Sequence, residues 1–267
     1  MKNTNLHHHC TSPIINVMYR AISTVTTNML RDFGEIESLQ MSTKGPGNFI
    51  CETNLKIEAS IRDALKQLRP SYGFIGEASG EVPGDDPQYT WVLDPINGTS
   101  NFVHGFPHFC ISLGLAKDQN PIAGMIYDPL RDELFFCSRG EGAYSRRHRL
   151  RVSKRNDLST ALAATCPLQS TDPKKFKRHN AATARIPAIR QTGSTALDLA
   201  YVAAGRLDLF WSEQLSPWDF MAGTLMVQEA GGYATDFQRR AVTLKAETII
   251  AGTPTLQEHM LDLFDAA

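Results

Sequence analysis

The chain has 267 residues, of which 42% are hydrophobic and 21% are charged, and its formal net charge is −1. This composition is typical of a soluble globular protein that forms one large domain or two closely packed halves. The balanced charge gives no overall reason to expect binding to nucleic acid or to a membrane, and no apolar run approaches the roughly 20 residues that span a bilayer. We expect a cytoplasmic protein with reduced thiols, because the N-terminus lacks an apolar signal segment and the five cysteines form no C-x-x-C pair.

The N-terminal quarter is predicted to contain a polar tail, residues 1–11, and two amphipathic helices. The tail includes three consecutive histidines, for which a frayed end is favoured over a metal site. The first helix begins with Ser12 as its N-cap and Pro13 in its first turn, and apolar residues at 3.6-residue spacing continue it to Phe33. A loop is predicted over residues 42–48. The second helix follows, with a predicted core face of Leu55, Ile57, Ile61, Ala64, Leu65 and Leu68.

Oxygen-bearing side chains follow a short apolar strand, residues 91–93, which ends on Asp94. Burying a carboxylate there is costly unless it is paired or binds a cation. The next turn crowds Asp94, Asn97 and Thr99 together, and oxygen ligands of this kind suit a hard cation such as Mg²⁺. If residues 98–100 open a helix, their N–H groups face the same point and can hold a phosphate. The alternative interpretation is an Asx-type turn that closes the strand.

Two further acids lie at the ends of predicted elements, one at the end of a strand and one in the first turn of a helix. Residues 73–77 form a short apolar strand that ends on Glu77, so Glu77 and Asp94 are expected to meet at one edge of a sheet. Asp219 lies in the first turn of a helix that begins at Pro217, where the positive end of the helix dipole favours a carboxylate. That helix has a small-residue face suited to close packing, formed by Ala222, Gly223, Met226, Val227 and Ala230. Taken alone, Asp219 is explained by the helix dipole, but together the three acids predict one site.

The other elements predict two kinds of architecture. Residues 1–150 are expected to form an α+β half, in which a surface loop over 79–88 precedes an antiparallel series of strands. These strands are predicted over residues 108–116, 121–127, 133–138 and 141–144. Residues 151–267 are expected to form an α/β half in which strands and helices alternate. Its strands are predicted over 160–165, 207–211 and 247–251, and its helices over 195–204, from Pro217 and from Pro254.

Two basic runs, residues 146–155 and 174–178, stand out from the balanced charge of the chain. The first is interpreted as a solvated turn and edge strand between the halves, and the second as the solvated face of a helix after Pro173. An RNA or phosphate patch is the alternative interpretation of each.

The motifs Gly76-Glu77, residues 91–102 and residues 218–232 resemble the inositol monophosphatase family, above all its bacterial extragenic-suppressor branch. Further signatures of that family occur in the same order, at residues 43–47, 127–129, 142–144, 193–194 and 199–205. The resemblance implies the sugar-phosphatase fold, a layered αβαβα sandwich that combines α+β and α/β halves into one catalytic unit. It also implies dependence on two or three Mg²⁺ ions, sensitivity to Li⁺ and a homodimer.

The resemblance also implies roles for individual residues. The first metal would be held by Glu77, Asp94 and the Ile96 carbonyl, and the second by Asp94, Asn97 and Asp219. The catalytic groups would be Glu77 together with Thr99, which orients the attacking water with help from Asn54. The substrate would be bound by Gly98, Thr99 and Ser100 at its phosphate, and by Gly193, Ser194 and Thr195 on the polyol side.

Four positions depart from the family pattern. The family has Asp where this chain has Asn97 and Asn54, so a ligand of the second metal is neutral and the partner of Thr99 cannot accept a proton. Ala78 stands where the family has a second Glu after the first. Ser212 stands where a Glu binds substrate hydroxyls, and Glu213 is the neighbouring acid that could substitute for it. We therefore expect a weak second metal site.

Two functions are compatible with these residues. The first is Mg²⁺-dependent hydrolysis of inositol-1-phosphate or a related small sugar or polyol phosphate, at a reduced rate, since loss of a general base costs about 10²–10⁴-fold. The second is a regulator with degraded catalysis, bound to RNA polymerase or RNA, for which the suppressor branch provides the precedent. We prefer the phosphatase, because asparagine is nearly isosteric with aspartate and preserves the geometry of the site.

Overall fold

The computed structural model describes residues 12–35, 41–43, 49–146 and 148–267. The predicted histidine-containing tail and most of the predicted loop over 42–48 therefore lie outside the described residues. Within the described part of the chain, no helix has the length and apolar character needed to cross a membrane.

The helices are short to medium in length and are spread along the chain. They are α1 Pro13–Ser23, α2 Thr26–Gly34, α3 Glu52–Leu68, α4 Thr99–Val103, α5 Pro173–Arg185, α6 Thr195–Ala203, α7 Pro217–Glu229 and α8 Pro254–Asp265. The strands of the first part are β1 Met41–Thr43, β2 Phe49–Cys51, β3 Tyr72–Gly76, β4 Gly80–Val82, β5 Asp86–Asn97, β6 Cys110–Lys117, β7 Asn120–Asp128, β8 Glu133–Ser138, β9 Gly142–Ser145 and β10 His148–Arg149. The strands of the second part are β11 Leu162–Thr165, β12 Ala188–Arg190, β13 Leu209–Glu213, β14 Tyr233–Thr235 and β15 Thr248–Gly252.

The predicted single helix from Pro13 to Phe33 is wrong, because the structure divides it into α1 and α2. The break falls in a run of Ser and Thr residues. The Thr24 hydroxyl donates to the Ala21 carbonyl at 2.7 Å, and the Thr26 hydroxyl donates to a carbonyl of the same helix end at 3.2 Å. Short hydroxyl side chains that bond the preceding turn compete with the helical backbone, and β-branched residues add steric crowding.

The larger sheet has eight strands in the order β10-β9-β8-β7-β6-β5-β3-β4. The strands from β5 to β10 pair in an antiparallel series, as predicted, while β3 and β5 run parallel. The prediction of a surface loop over residues 79–88 is wrong in part, since β4 and the start of β5 lie there. The strand β4 is a three-residue edge strand with no apolar alternation, so hydrophobic pattern could not reveal it.

The smaller sheet has five strands in the order β12-β11-β13-β15-β14. The strand β11 is parallel to β12 and β13, whereas β15 is antiparallel to β13 and β14. The edge strands β12 and β14 were not predicted, because each has only three residues. The chain passes from the larger to the smaller sheet between residues 149 and 162, close to the predicted boundary at residue 150, which itself stays a prediction.

Five layers are stacked with a hydrophobic core at each interface. Helices α1 to α3 cover one face of the larger sheet, α6 and α7 fill the space between the sheets, and α5 and α8 cover the outer face of the smaller sheet. Strand alternation sorts side chains between cores: in β5, Trp91 and Leu93 face α1 and α3, whereas Val92 faces the central layer. The predicted αβαβα sandwich is confirmed. The prediction that Leu55 belongs to the core face of α3 is wrong, because Leu55 is 49% exposed.

The basic side chains of the first run that the structure describes are exposed, and those of the second run are exposed or half-buried. The exposed strand β10, His148–Arg149, pairs with β9 at the sheet edge, as predicted for the first run. In the second run, Lys174 and Lys177 are exposed on α5, but Lys175 and Arg178 turn inward to Glu213. Part of the second run therefore has a structural role that the sequence interpretation missed.

Candidate functional site

Glu77 and Asp94 are neighbours because the strands that precede them are parallel and adjacent. Gly76 is paired with Leu93, and the Glu77 N–H donates to the Leu93 carbonyl at 3.3 Å. Glu77 follows β3 directly, and Asp94 follows the last residue of β5 that pairs with β3. The prediction that the strand itself ends on Asp94 is wrong, because β5 continues to Asn97 through its pairing with β6. The predicted meeting of these two acids is confirmed.

Asp219 reaches the same place from the other end of the chain. It is the third residue of α7, and the Ser216 N–H donates to its Oδ2 at 2.8 Å in a reciprocal capping arrangement. The Ser112 hydroxyl of β6 donates to the Trp218 carbonyl at 3.2 Å, which ties the start of α7 to the larger sheet. The capping contacts hold Asp219 in one orientation, with its Oδ1 within 3.3 Å of the Asn97 Nδ2.

Asn97 lies between Asp94 and Asp219. The pairing of β5 with β6 shifts register between Asp94 and Asn97, and this irregularity lets both side chains reach the same space. The Asn97 Nδ2 donates to Asp94 Oδ2 at 2.8 Å and lies 3.3 Å from Asp219 Oδ1. Its Oδ1 points the other way and accepts from the Ser194 hydroxyl at 2.8 Å and from the Ala196 N–H at 2.9 Å. The amide therefore presents donors, not oxygen ligands, to the two acids.

Asn54 makes a related contact with the third acid. Its side chain is fully buried on α3, and its Nδ2 donates to Glu77 Oε2 at 3.0 Å. The Asn54 Oδ1 is buried and has no hydrogen-bond partner among the described residues. The predicted partner of Asn54, Thr99, donates its hydroxyl to the Ile96 carbonyl at 2.9 Å. The structure thus brings both asparagines to the acids and leaves one buried amide oxygen open.

Burial and mutual repulsion shape the charge of the site. Burial raises the pKa of Asp94 well above its usual range, and the nearby Glu77 and Asp219 raise it further, whereas the Asn97 hydrogen bond opposes the shift. Burial also raises the pKa of Asp219 to about 7, against the Ser216 N–H and with help from Glu77. Carboxylates in this condition favour binding either a proton or a cation.

The oxygen atoms near Glu77 fit a hard divalent cation. Within the part of the chain that the structure describes, no three histidine, cysteine or acidic side chains are arranged to hold a metal by themselves. Two carboxylates, Glu77 and Asp94, can be completed by the Ile96 carbonyl, and oxygen donors of this kind suit Mg²⁺. The unpartnered Asn54 Oδ1 is a further open oxygen on the Glu77 side. Between Asp94 and Asp219, by contrast, the Asn97 amide nitrogen faces both acids, and the arrangement does not fit a cation.

The predicted phosphate and polyol residues lie around the same turn. Gly98 has φ 102°, a left-handed conformation suited to glycine, and precedes the five-residue helix α4, in whose first turn Thr99 and Ser100 lie. A Cβ on Gly98 would lie 3.3 Å from the Gly193 carbonyl oxygen, so the two glycines pack closely. Ser194 reaches the turn through its hydrogen bond to Asn97.

Ser212 and Glu213 are adjacent in β13, and their side chains have different partners. Glu213 forms ion pairs with Lys175 at 3.4 Å and Arg178 at 3.0 Å. Binding a substrate hydroxyl would require Glu213 to leave these partners, so the geometry does not support it as a substitute. The Ser212 hydroxyl donates to the Glu213 carbonyl at 3.3 Å. The Thr195 hydroxyl lies 3.2 Å from the thiol of Cys166, a residue that sequence interpretation did not single out.

A second residue missed from the sequence is Glu58. Its buried carboxylate accepts the N–H groups of Ala78 and Ser79, each at 2.8 Å, in the turn directly after Glu77. Its spacing of four residues from Asn54 on α3 is the one local signal that could have indicated it. The carboxylate positions the turn that carries a predicted metal ligand.

Comparison with known proteins finds relatives along almost the whole chain. The sequence pattern of the inositol monophosphatase family matches residues 11–267. An inositol-1-monophosphatase of Rhizobium meliloti is 40% identical over 255 residues, which cover 94% of this chain and 96% of the relative. Nus factor SuhB of Escherichia coli K12 is 37% identical over 260 residues, which cover 93% of this chain and 94% of that protein.

Solved structures show the same architecture. The crystal structure of the extragenic suppressor protein suhB from Bartonella henselae superimposes with a TM-score of 0.90 at 39% identity, covering 95% of this chain and 98% of that one. An inositol monophosphatase from Thermotoga maritima superimposes with a TM-score of 0.85 at 27% identity, covering 96% of this chain and 98% of that one. With the family pattern matched over residues 11–267 and a relative 40% identical over nearly its whole length, the chain belongs to the inositol monophosphatase family.

Proposed function

We propose that this protein hydrolyses a small phosphate monoester of a polyol, inositol-1-phosphate or a related compound, in a Mg²⁺-dependent reaction. The observation that carries the proposal is the meeting of Glu77, Asp94 and Asp219 beside the Gly98 turn, with the pKa values of both aspartates raised by burial and by neighbouring acids. Such a cluster is unfavourable by itself and suits a site that binds a cation next to a phosphate.

The protein groups have separable roles in this proposal. Glu77, Asp94 and the Ile96 carbonyl would hold the cation, which when bound supplies positive charge that offsets the charge of the ester and makes nearby water more acidic. The Thr99 hydroxyl, held by the Ile96 carbonyl, orients the attacking water. Asn54 can orient this water through its open Oδ1 but cannot remove its proton, because an amide is not a base at neutral pH. The reaction is therefore expected to be slow.

The leaving group would lie against residues 193–195 and Ser212. Thr195 and Ser212 offer hydroxyl groups to the hydroxyls of a polyol, without the charge of the acid that the family has at position 212. This neutral surface supports a small sugar or polyol phosphate as the substrate class and leaves the choice among such compounds to the fit of individual hydroxyls.

An assay of inositol-1-phosphate hydrolysis over a Mg²⁺ titration tests the proposal. The unmodified protein is expected to show slow turnover that requires high Mg²⁺. The double substitution Asn54→Asp and Asn97→Asp should raise the rate, by up to about 10²–10⁴-fold if the carboxylate introduced at position 54 acts as the base, and should lower the Mg²⁺ requirement. Full activity of the unmodified protein at low millimolar Mg²⁺, with no gain in the double variant, would contradict this account.

A second candidate, proposed from the resemblance to the suppressor branch, is a regulator that binds RNA polymerase or RNA; one relative is named Nus factor SuhB. The observation that favours it is the presence of two amides, Asn54 and Asn97, beside the acids. A pull-down with RNA polymerase at increasing salt tests it, and absence of salt-sensitive binding would count against it. Family resemblance further leads us to propose a cytoplasmic homodimer, and Li⁺ inhibition of any phosphatase activity.

A further inference from the structure

We infer that the Asn97 amide takes the place of a second divalent cation between Asp94 and Asp219, so that this protein binds one divalent cation per chain. The inference deepens the proposed function and rests on it for the identity of the cation as Mg²⁺. It differs from the expectation of two or three ions with a weak second site. It also makes Asn97 a positioning residue that joins the two acids, rather than a ligand.

A backbone N–H group, which can only donate, determines which end of the Asn97 amide is the oxygen. The Ala196 N–H lies 2.9 Å from one end of the amide, so that end must be the oxygen. The Ser194 hydroxyl donates to the same oxygen at 2.8 Å. At the other end, oxygens of Asp94 and Asp219 lie 2.8 and 3.3 Å from the nitrogen and accept its hydrogens. The Ala196 N–H thus fixes the orientation, and the acids at the other end agree with it.

The number of hydrogens on the Asn97 amide nitrogen equals the number of acids beside it. The Asn97 Nδ2 has two hydrogens and two carboxylate partners, Asp94 and Asp219. Asp94 and Asn97 are buried and Asp219 is half-buried beside them, in a place where unpaired acids facing each other would be unfavourable. An aspartate at position 97 would instead bring a third carboxylate oxygen into this space, and a cation would then be needed to offset the charge.

A cation could not recruit Asn97 without breaking the surrounding contacts. Ligation through Oδ1 requires the amide to rotate, which would turn its nitrogen toward the Ala196 N–H and leave that buried donor without an acceptor. Asn54 is different, because its nitrogen bonds Glu77 and its buried Oδ1 is already open. The Glu77 side of the site can therefore accept a cation, whereas the Asp219 side is closed by the amide.

The number of bound cations tests the inference directly. Mn²⁺ serves as the probe, and its stoichiometry is measured on the whole unmodified protein by equilibrium dialysis with electron paramagnetic resonance detection. We expect one Mn²⁺ per chain. Asn97→Asp should bind one more, whereas the matched control Asn54→Asp, which adds the same charge on the Glu77 side, should still bind one. Two or more ions on the unmodified protein, none at all, or an unchanged count in Asn97→Asp would overturn the inference.

Thermal unfolding provides a second readout. In metal-free buffer Asn97→Asp should lower Tm by about 3 °C or more, and Mg²⁺ should restore the loss. Asn101→Asp is the control, because the Asn101 amide also joins two acceptors, but these are the neutral carbonyls of His108 and Thr192. Measured against the unmodified protein at the same Mg²⁺ concentration, its loss of Tm should not be recovered. Equal recovery in both variants, or none in Asn97→Asp, would contradict the inference.

The two proposals fail in different ways. A protein that binds one Mn²⁺ and hydrolyses no phosphate monoester would contradict the proposed function while supporting the role of the amide. A protein that hydrolyses inositol-1-phosphate with two bound Mn²⁺ would do the reverse. The stoichiometry of the unmodified protein needs no variant, so the test stands even if Asn97→Asp does not fold.

Discussion

At the scale of single residues, a glycine leaves the space in which an acid holds the turn of a candidate metal ligand. Gly76 directly precedes Glu77, and a Cβ at Gly76 would lie 2.6 Å from the Glu58 Oε2. The same Glu58 carboxylate accepts two N–H groups from the turn after Glu77. The glycine and the acid therefore depend on each other: only a residue without a Cβ leaves room for the carboxylate that holds the turn.

Gly76→Ala should consequently destabilise the protein by about 1–3 kcal/mol, because either Glu58 or the turn must move. It should also raise the Mg²⁺ concentration needed for half-maximal activity, since Glu77 moves with the turn. Gly34→Ala is the control, because nothing lies within 4 Å of a Cβ there, and its effect should stay within about 0.5 kcal/mol. Urea unfolding measures the free energy of unfolding of both variants. Equal stability of the two variants would show that Glu58 is not confined.

At the scale of elements, α7 connects the two sheets by close approach of small residues. A Cβ at Gly223 would lie 2.5 Å from the Leu199 Cβ of α6, and a Cβ at Gly124 of β7 would lie 2.8 Å from the Ala222 carbonyl oxygen. The small-residue face predicted from the sequence is thus in tight contact with a helix on one side and with the larger sheet on the other. This contact also places Asp219, since the acid lies in the first turn of the same helix.

Gly223→Ala is expected to cost about 1–3 kcal/mol, because the Leu199 Cβ cannot rotate away from the added methyl group. Gly114→Ala provides a matched control on β6. Its added Cβ would lie 3.5 Å from the Met221 Cγ, an ordinary contact with a flexible side chain, and should cost less than about 1 kcal/mol. The free energy of unfolding in urea distinguishes them. A control that is as unstable as Gly223→Ala would mean that the spacing of α6 and α7 is not the cause.

At the scale of the whole molecule, buried acids make stability depend on pH. Asp198 is buried in α6 and accepts from the Thr192 hydroxyl at 2.9 Å, and burial raises its pKa from the ordinary 3.8 to about 7. Because the folded state holds this proton more tightly than the unfolded chain, its contribution is complete below about pH 4 and is lost as pH rises through 7. The metal-free protein should therefore lose stability between these pH values.

Asp198→Asn removes the titratable carboxyl group while keeping the side chain nearly the same size. At pH 8 the variant should be more stable than the unmodified protein, by up to about 4 kcal/mol, and near pH 4 the two should be alike. Urea unfolding in metal-free buffer from pH 4.5 to 8 checks the difference. Parallel pH profiles for the two proteins would show that Asp198 is not the titrating group.

The sequence by itself determined most of the local structure and the identity of the acids. Hydrophobic periodicity predicted α3, α6 and the central strands, and polar residues at strand ends indicated Glu77, Asp94 and the Gly98 turn, because these signals lie within a few residues of each other. It did not reveal the three-residue edge strands, whose pairing partners supply most of their order. It also missed the break after α1, although the hydroxyl-rich run that causes it is local.

Only the tertiary structure decided how the polar groups are used. The Asn97 amide is oriented by Ala196, 99 residues away in the chain, and Glu213 is turned from the site by cations on α5. Residue types show that a side chain can donate or accept, but its direction depends on which partners the fold brings within hydrogen-bonding distance. The choice between a cation and an amide as the bridge between Asp94 and Asp219 is therefore made by packing, after the sequence has supplied the acids.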